Sequence, residues 1–262
     1  MTCLAAALAL AWPLLAAQAQ TQTVTVQGQA DKAASLDNSA EAGSRLGLTL
    51  RETPASVEVI SQETMQLRGS RTLEEALRGA VGLTVGGNPG SPGIASTRGF
   101  TGGFITYLFD GTRVSTPTMS NRPQDSWNYE RIEVLKGPTS VLFGEGGIGG
   151  AVNFVPKLPD RNAPGAEALL SYGSFGAVRA GVGLGGAVGE TGAYRLDFSH
   201  NQSNGWISNT AQKLDHLTAA VSFALRPDLK LELSIDALKD DIHSYWGTPL
   251  VPASFATQPT SV

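Results

Sequence analysis

The sequence predicts an α+β domain followed by antiparallel strands of a transmembrane β-barrel, with five of those strands present. In the C-terminal part, residues 160–262, apolar and polar side chains alternate, so each strand has one face for each kind of surroundings. The strand connections there include both tight and longer joints, which is typical of outer-membrane barrels. Residues 45–159 instead combine helix signals with separate strand candidates, which indicates a compact mixed domain.

The five C-terminal strands are predicted from the alternation. In the clearest of them, Leu229, Leu231 and Leu233 share one face, while Lys230 and Glu232 share the other. The joints after the second and fourth strands, VGETG and RPD, are tight, and the joint after the third, NQSNGWISNTAQ, is longer. The predicted strands are 166–173, 176–186, 193–201, 214–225 and 229–241. A soluble β-sandwich also alternates in this way, so the alternation alone leaves both architectures open.

The α+β domain is predicted from helix-capping signals and β-prone runs. Ser61 begins a helix that ends near Gly69, and Thr72 with Glu75 forms a capping-box pair before a second helix, LEEALRG. The strand candidates are 55–61, 83–87, 105–111, 131–137 and 151–157. Long connections rich in Gly, Pro and Ser separate them, and such loops in a compact domain are usually functional or disordered.

The run GEGGIGGAV places Gly144, Gly146 and Gly149 at the spacing of a dinucleotide-binding loop. That function requires a helix that begins at the last glycine and presents its N-terminus to a pyrophosphate. The residues that follow, GAVNFVPKLPD, favour an extended chain, and their two prolines would break a helix within two turns. We therefore expect no nucleotide site, and we predict that the glycines allow tight backbone packing.

The first nineteen residues are predicted to be a secretory signal peptide. Leu4–Ala17 is an apolar run that is too short to span a bilayer as a helix. Ala17-Gln18-Ala19 then fits the small-x-small rule for cleavage before Gln20. Cys3, the only cysteine, lies inside this segment, so the mature chain is expected to have neither a disulfide framework nor thiolate chemistry.

Composition and charge argue against several other classes of function. The net charge of −4 argues against a nucleic-acid partner. After the signal peptide, no stretch reaches the roughly 18 apolar residues of a membrane helix, so entry into a membrane would have to use strands. His200, His216 and His243 are dispersed without the spacing of metal ligands, and no Ser/His/Asp arrangement is evident. We therefore expect no enzyme activity, no cofactor and no metal site.

The order of these parts resembles that of the TonB-dependent outer-membrane receptors, in particular the ferric-siderophore branch. TVTV resembles a TonB box, RETPASVEVIS the start of the plug domain, and TLEEALRGAVGLTV its helix and second strand. TRGF and YLFDGTRV also resemble plug motifs, and YWGTPL resembles a piece of the barrel. The run YERIEVLKGPTSVLFGEGGIGGAVNFVPKLP resembles the most recognisable segment of the plug.

The resemblance implies a receptor in the outer membrane of a Gram-negative bacterium that takes up a ferric siderophore. Residues 20–44 would be a flexible tether, residues 45–159 the plug, and residues 160–262 the first barrel strands. Within the tether, the TonB box would consist of Thr23, Val24, Thr25 and Val26. The implied partners are TonB with its inner-membrane energy-transducing complex, the ferric siderophore and the lipid of the outer membrane.

The same resemblance implies two sets of site residues. The ligand would bind between the plug apices and the barrel loops, at Phe104, Met119, Arg122 and Trp127. Contacts with carboxylates on the barrel wall would hold the plug through Arg98 and Lys136. The alternative for the two aromatic residues is core packing, and the alternative for Arg98 and Lys136 is ordinary surface charge.

Several alternatives remain open from the sequence. The ligand of such a receptor could be cobalamin, haem or a sugar, and the strands could instead belong to a soluble periplasmic binding module. A passive porin would explain the strands but would leave the TonB box and the plug without a purpose. Plugged outer-membrane transporters have about 22 strands, and lipid tolerates no open strand edge. We therefore expect further strands beyond this chain, which should not transport alone.

Overall fold

A computed structural model describes residues 36, 37, 39, 40, 42–44, 46–88, 91–114, 122–139, 143, 144, 147–243, 245 and 247. The predicted signal peptide, the predicted TonB box and Met119 lie outside the described residues. Among the described residues, no helix has the length and apolar character needed to cross a membrane.

Among the described residues, the α+β domain, called the plug below, has two short helices and eight strands with defined bounds. The helices are α1 (Gln62–Leu67) and α2 (Leu73–Arg78). The strands are β1 (Ser56–Ser61), β2 (Leu83–Asn88), β3 (Ser91–Thr97), β4 (Phe100–Thr101), β5 (Ile105–Phe109), β6 (Thr112–Val114), β7 (Tyr129–Lys136) and β8 (Gly150–Pro156). A 3-10 turn, Ser126–Asn128, leads directly into β7.

Both predicted helix starts are present. The Ser61 hydroxyl accepts a hydrogen bond from the Thr64 N–H at 3.1 Å, and the Thr72 hydroxyl accepts one from the Glu75 N–H at 3.2 Å. The return bond of the capping box differs from the prediction by one residue. The Glu75 carboxylate accepts from the N–H of Arg71 at 2.7 Å instead of from that of Thr72. The guanidinium of Arg71 donates to the same carboxylate at 3.0 Å, which holds it next to Arg71.

The plug sheet has the strand order β1-β7-β8-β5-β6, in which β5 and β8 are parallel and the other pairs antiparallel. Its two faces carry separate apolar clusters because successive side chains along a strand point to opposite faces. Ile132 and Val134 of β7 belong to a cluster with both helices, whereas Leu135 belongs to a cluster with Ala42, Leu108, Phe143 and Ala151. A small second sheet has the order β2-β3-β4.

Ala42, near the start of the described residues, belongs to the second of these clusters. Ala40 and Ala42 are fully buried, and Gly43 comes so close to the side chains of Thr53 and Val57 that an added Cβ would lie 2.9 Å from each. Part of the segment that the sequence predicts as tether is therefore packed as part of the plug.

The C-terminal strands confirm the predicted set of five, with ends within a few residues of the prediction. They are β9 (Gly165–Gly173), β10 (Ala177–Val188), β11 (Gly192–Ser203), β12 (Gln212–Arg226) and β13 (Leu229–Ile242). Each pairs antiparallel with the next, so they form one up-and-down sheet, called the barrel sheet below.

The glycine-rich run leads into strand β8 and not into a helix, as predicted. The N–H of Gly149 donates to the carbonyl of Phe104 at 2.8 Å, and its own carbonyl accepts from Gly137 at 3.2 Å. A Cβ at Gly149 would lie 2.5 Å from the Cβ of Phe100. This glycine therefore allows close backbone packing beside β4 and β5.

The substitution Gly149→Ala tests this packing. Because the added methyl group must displace the backbone near Phe100, we expect a loss of about 1–3 kcal/mol in plug stability. Gly103→Ala is the matched control, since an added Cβ there has no atom within 4 Å. The stability of each variant is measured as the urea concentration at which half of the plug in the full-length receptor becomes sensitive to protease. Equal concentrations for the two variants would contradict close packing at Gly149.

Candidate functional site at the contact between the plug and the barrel sheet

The barrel sheet is inverted relative to a sheet of a water-soluble protein. On β11, the apolar residues Leu196 and Phe198 are 40% and 39% exposed, whereas Asp197 and Ser199, which alternate with them, are fully buried. On β12, His216 is 1% exposed. Apolar side chains ordinarily fill the interior, and buried charges are rare unless they are paired. The polar face of this sheet therefore needs polar partners, and the plug supplies them.

Trp127 lies at the centre of the contact. Its side chain is 5% exposed, and its indole Nε1 donates to the carbonyl of Val182 on β10 at 3.2 Å. The ring packs against Gly181, where an added Cβ would lie 2.7 Å from the nearest ring atom. Because Gly181 of the barrel sheet has no side chain, the aromatic ring of Trp127 fits against it.

Asn128, the next residue, joins the plug to two barrel strands. Its Oδ1 accepts from the Ser199 hydroxyl at 2.7 Å, and its Nδ2 donates to the Thr218 hydroxyl at 3.1 Å. The same Nδ2 lies 3.3 Å from the carbonyl of Asp197 and 3.5 Å from that of His216. All of these atoms are buried, so the amide replaces water as the partner of both strands.

Asp125 carries a buried charge into the same contact. Its Oδ2 accepts from Nε of Arg179 on β10 at 2.9 Å and also from the side-chain amide of Asn201 on β11. Its Oδ1 accepts from the Trp127 N–H at 2.6 Å, which fixes the start of the 3-10 turn. Because Asp125 is fully buried, the ion pair with Arg179 compensates for the water that the carboxylate has lost.

Lys157 forms a second ionic contact just after β8. Its Nζ lies 3.3 Å from Oδ1 of Asp197 and 3.1 Å from Oε2 of Glu167, and it stands 4.2 Å from the centre of the Trp127 ring. Arg195 bridges the same two carboxylates at 2.6 and 2.8 Å. The two cations and two anions balance each other; Asp197 and Lys157 are buried, whereas Glu167 is 40% exposed.

A cavity of about 740 Å³ lies between α2 and the ends of β9–β12. Its lining includes Arg71, Phe175, Arg179, Gln202 and Trp206. Such a volume is in the range of pockets that hold small molecules, roughly 300–1,000 Å³.

The charges around this cavity are largely paired within the protein. Burial alone would raise the pKa of Glu75, but hydrogen bonds from the Arg71 side chain and backbone outweigh it and lower the pKa. Glu74 is likewise paired with Arg78. The cavity is therefore a polar, nearly neutral site with two exposed aromatic side chains, Phe175 and Trp206.

The predicted ligand-binding residues are not brought together. Phe104 is half-exposed and packs edge-to-face on Phe100, with ring centres 6.1 Å apart. Arg122 pairs with Asp240 of β13 at 3.3 Å, and Trp127 is buried in the contact described above. The assignment of these residues to a ligand stays a prediction.

The two predicted lock residues lie in different surroundings. Lys136 pairs with Glu58 of the neighbouring plug strand β1 at 2.6 Å, so the partner seen here is on the plug and not on the wall. Arg98 is exposed and has a positive φ of 50°, beside Gly99 at the turn between β3 and β4. Their role in holding the plug to a barrel wall also stays a prediction.

Asp125, Asn128 and Lys157 contact the barrel sheet, and none of the three is predicted from the sequence. They occur in DSWNYE and VPK, directly before β7 and directly after β8. The available signal was a cluster of polar residues around a tryptophan next to a buried strand. Among the described residues, no cluster of His, Cys, Asp and Glu is placed to hold a metal ion.

Comparison with known proteins matches this architecture. Residues 49–151 match the family model of the TonB-dependent receptor plug domain. The probable TonB-dependent receptor BfrD of Bordetella pertussis is 32% identical over 246 residues, which cover 87% of this chain and 30% of the relative. The ferripyoverdine receptor of Pseudomonas aeruginosa is 27% identical over 75% of this chain and 24% of the relative.

The fold of this chain is also similar to those of solved outer-membrane receptors. The pyoverdine outer membrane receptor FpvA from Pseudomonas aeruginosa, bound to pyoverdine, superimposes with a TM-score of 0.72 at 25% identity, over 80% of this chain and 31% of that chain. The siderophore receptor PiuA from Acinetobacter baumannii superimposes with a TM-score of 0.67 at 25% identity, over 79% of this chain and 29% of that chain. The chain thus spans about a third or less of the length of each of these proteins.

The ion pair between Asp125 and Arg179 can be tested by Arg179→Met, which leaves the buried carboxylate without its cation. We expect a loss of about 3–5 kcal/mol in the stability of the plug–wall contact. Arg226→Met is the matched control because Arg226 pairs with Asp228 at an exposed turn, where the expected loss is about 0–1 kcal/mol. The urea concentration at which the plug of the full-length receptor becomes protease-sensitive measures both losses. Identical midpoints would show that the pair does not hold the plug.

Proposed function

We propose that this chain, which belongs to the TonB-dependent receptors, is part of an outer-membrane receptor that takes up ferric siderophores. The observation that carries the proposal is the inverted arrangement of β10–β12, whose polar face is buried against the plug and whose apolar face is exposed. A sheet with this arrangement fits lipid on one side and a polar lumen on the other. A soluble periplasmic module would instead expose a broad apolar surface to water.

The choice of ligand rests on the relatives. Those compared above include a ferripyoverdine receptor and a siderophore receptor, and a ferric-pyoverdine receptor of Pseudomonas putida is 28% identical over 84% of this chain. We propose a ferric siderophore as the ligand of this receptor too. Cobalamin, haem and sugar are the competing ligands, and the uptake experiment below distinguishes them.

The cavity between α2 and the barrel sheet is our proposed ligand-facing site. It lies at the end of the barrel sheet where β9 joins β10 and where the longer joint follows β11. Outer-membrane barrels place their longer loops outside, so this end would face the cell exterior. Phe104, Met119 and Arg122 remain proposed ligand contacts, whereas Trp127 would act by holding the plug in place.

Energy for uptake would come from TonB. The predicted TonB box, Thr23–Val26, would add as a strand to a sheet edge of TonB, with main-chain hydrogen bonds carrying much of the affinity. A pull on that strand would then be transmitted along the predicted tether to the plug, in which Ala40 and Ala42 are already buried. The outer membrane itself has no ATP and no ion gradient, so an external source of work is required for uptake against a gradient.

Uptake of radiolabelled ligands by cells that express the full-length receptor tests the proposed function. We expect entry of at least one ferric siderophore under iron limitation, and no entry of labelled cobalamin, haem or sugar. Entry of cobalamin alone would make the ligand assignment wrong while leaving the receptor family unchanged.

The variant Val24→Pro tests, in the same uptake experiment, whether the predicted TonB box couples uptake to TonB. Proline removes a backbone donor and fixes φ, so it should abolish strand addition and uptake while ligand binding in the cold stays intact. Thr25→Ser is the matched control and should be nearly neutral, because it keeps the main chain unchanged. Wild-type uptake by Val24→Pro would show that these residues are not the TonB box.

A further inference from the structure

The described residues between 36 and 53, called the N-terminal segment below, are hydrogen-bonded at Ala42 to the middle of the plug sheet. The N–H of Ala42 donates to Oε2 of Glu133 on β7 at 2.9 Å, in a bond that joins residues 91 positions apart. Both residues are fully buried. A hydrogen bond to an ionised acceptor is roughly twice as strong as a neutral one, and burial makes it costly to break.

Glu133 distributes this attachment over the two central strands of the sheet. Its Oε1 accepts from Nε of Arg131 on β7 at 2.8 Å, and its Oε2 also accepts from Nδ2 of Asn153 on β8 at 3.0 Å. Asn153 in turn accepts at its Oδ1 from the N–H of Gly111, between β5 and β6, at 2.9 Å. One buried carboxylate therefore ties the N-terminal segment to β7 and β8, and through Asn153 to the turn after β5.

Two other polar contacts of described residues in this segment are local. Asp37 and Arg51 form an ion pair in which both side chains are exposed, and the Thr49 hydroxyl bonds the carboxylate of Glu52 at 2.8 Å. An exposed pair contributes about 0–1 kcal/mol, because water and salt screen it. Such contacts fold the segment on itself, whereas the Ala42–Glu133 bond attaches it to strands far along the chain.

We propose that Glu133 is the positioning residue through which a pull on the N-terminal segment reaches the central strands of the plug. The proposal rests on the proposed function, since it takes TonB as the source of the pull. While the bond holds, force on the chain before Ala42 acts on β7 and β8 together. Once the bond is weakened, the segment detaches and the central strands stay in place.

Single-molecule pulling from the N-terminus of the full-length receptor in a supported membrane tests this role without any ligand. In Glu133→Gln a neutral amide replaces the carboxylate, so we expect the first force peak to fall to roughly half. Glu130→Gln is the matched control. Half-exposed Glu130 pairs with the same arginine, Arg131, at 3.0 Å, but Ala42 donates to Glu133 and not to Glu130. Its first peak should equal that of the wild type.

Uptake separates a positioning role from a structural one. In Glu133→Gln, energised uptake of the ferric siderophore should fall severalfold while ligand binding in the cold is unchanged; Glu130→Gln should change neither. Unchanged uptake together with an unchanged first peak would overturn the proposal, and so would equal effects of the two variants. If the proposed function itself is wrong, the wild type takes up no ferric siderophore, yet the pulling experiment still decides the role of Glu133.

A second variant covers the case in which Glu133→Gln does not fold. Ala42→Pro removes the donor of the bond and keeps the Glu133 side chain with its two other partners. We expect the same drop in the first force peak with cold binding retained. Loss of cold binding in both variants would show that the contact is required for folding of the plug, and would overturn the assignment.

Discussion

The structure depends on one constraint, which is that the polar face of β10–β12, the three middle strands of the barrel sheet, is buried. Asp197 and Ser199 have lost water entirely, and an unpaired buried charge costs several kcal/mol. Their partners, Asn128 and Lys157, come from the plug. Arg195 on β11 also pairs with Asp197, so the plug completes a polar network that the barrel sheet supplies only in part.

Strand β7 connects this constraint to the N-terminal segment. The residues that hold the wall, Asp125 to Asn128, lie directly before β7, and Glu133 lies in its middle. A force that reaches Glu133 therefore acts on the strand whose first residues bind the wall. In this account, the anchoring of the plug and the coupling of the plug to its energy source share a single strand.

Much of the fold could be predicted from the sequence because local signals and tertiary surroundings agree. Strict alternation predicts β9–β13 since each face of that sheet meets a uniform environment, and the caps at Ser61 and Thr72 begin helices as expected. The β3 strand was missed because SPGIAST has a proline and a glycine, which argue against a strand. It forms nevertheless, because β2 pairs with it across the hairpin.

The candidate site could be predicted only in part, because its polar residues are chosen by partners far away in sequence. Lys136 pairs with Glu58, 78 positions away, while Asn128 pairs with Thr218, 90 positions away. The amino-acid sequence around Lys136 and around Asn128 does not show which of the two residues contacts the barrel sheet. The packing role of Gly149 could be predicted, because the strand-favouring residues after it are local and exclude a helix.

The orientation of the barrel sheet is the central claim, and cysteine labelling of β13 in the full-length receptor tests it most directly. In a cysteine-free background, single cysteines at Leu231, Leu233 and Ile235 should be quenched by a probe in the lipid chains, because these apolar residues point away from the polar face. Cysteines at Lys230, Glu232 and Ser234 should instead react with a water-soluble thiol reagent. An alternation with this period of two residues is the predicted result, and uniform labelling or the reverse alternation would contradict the account.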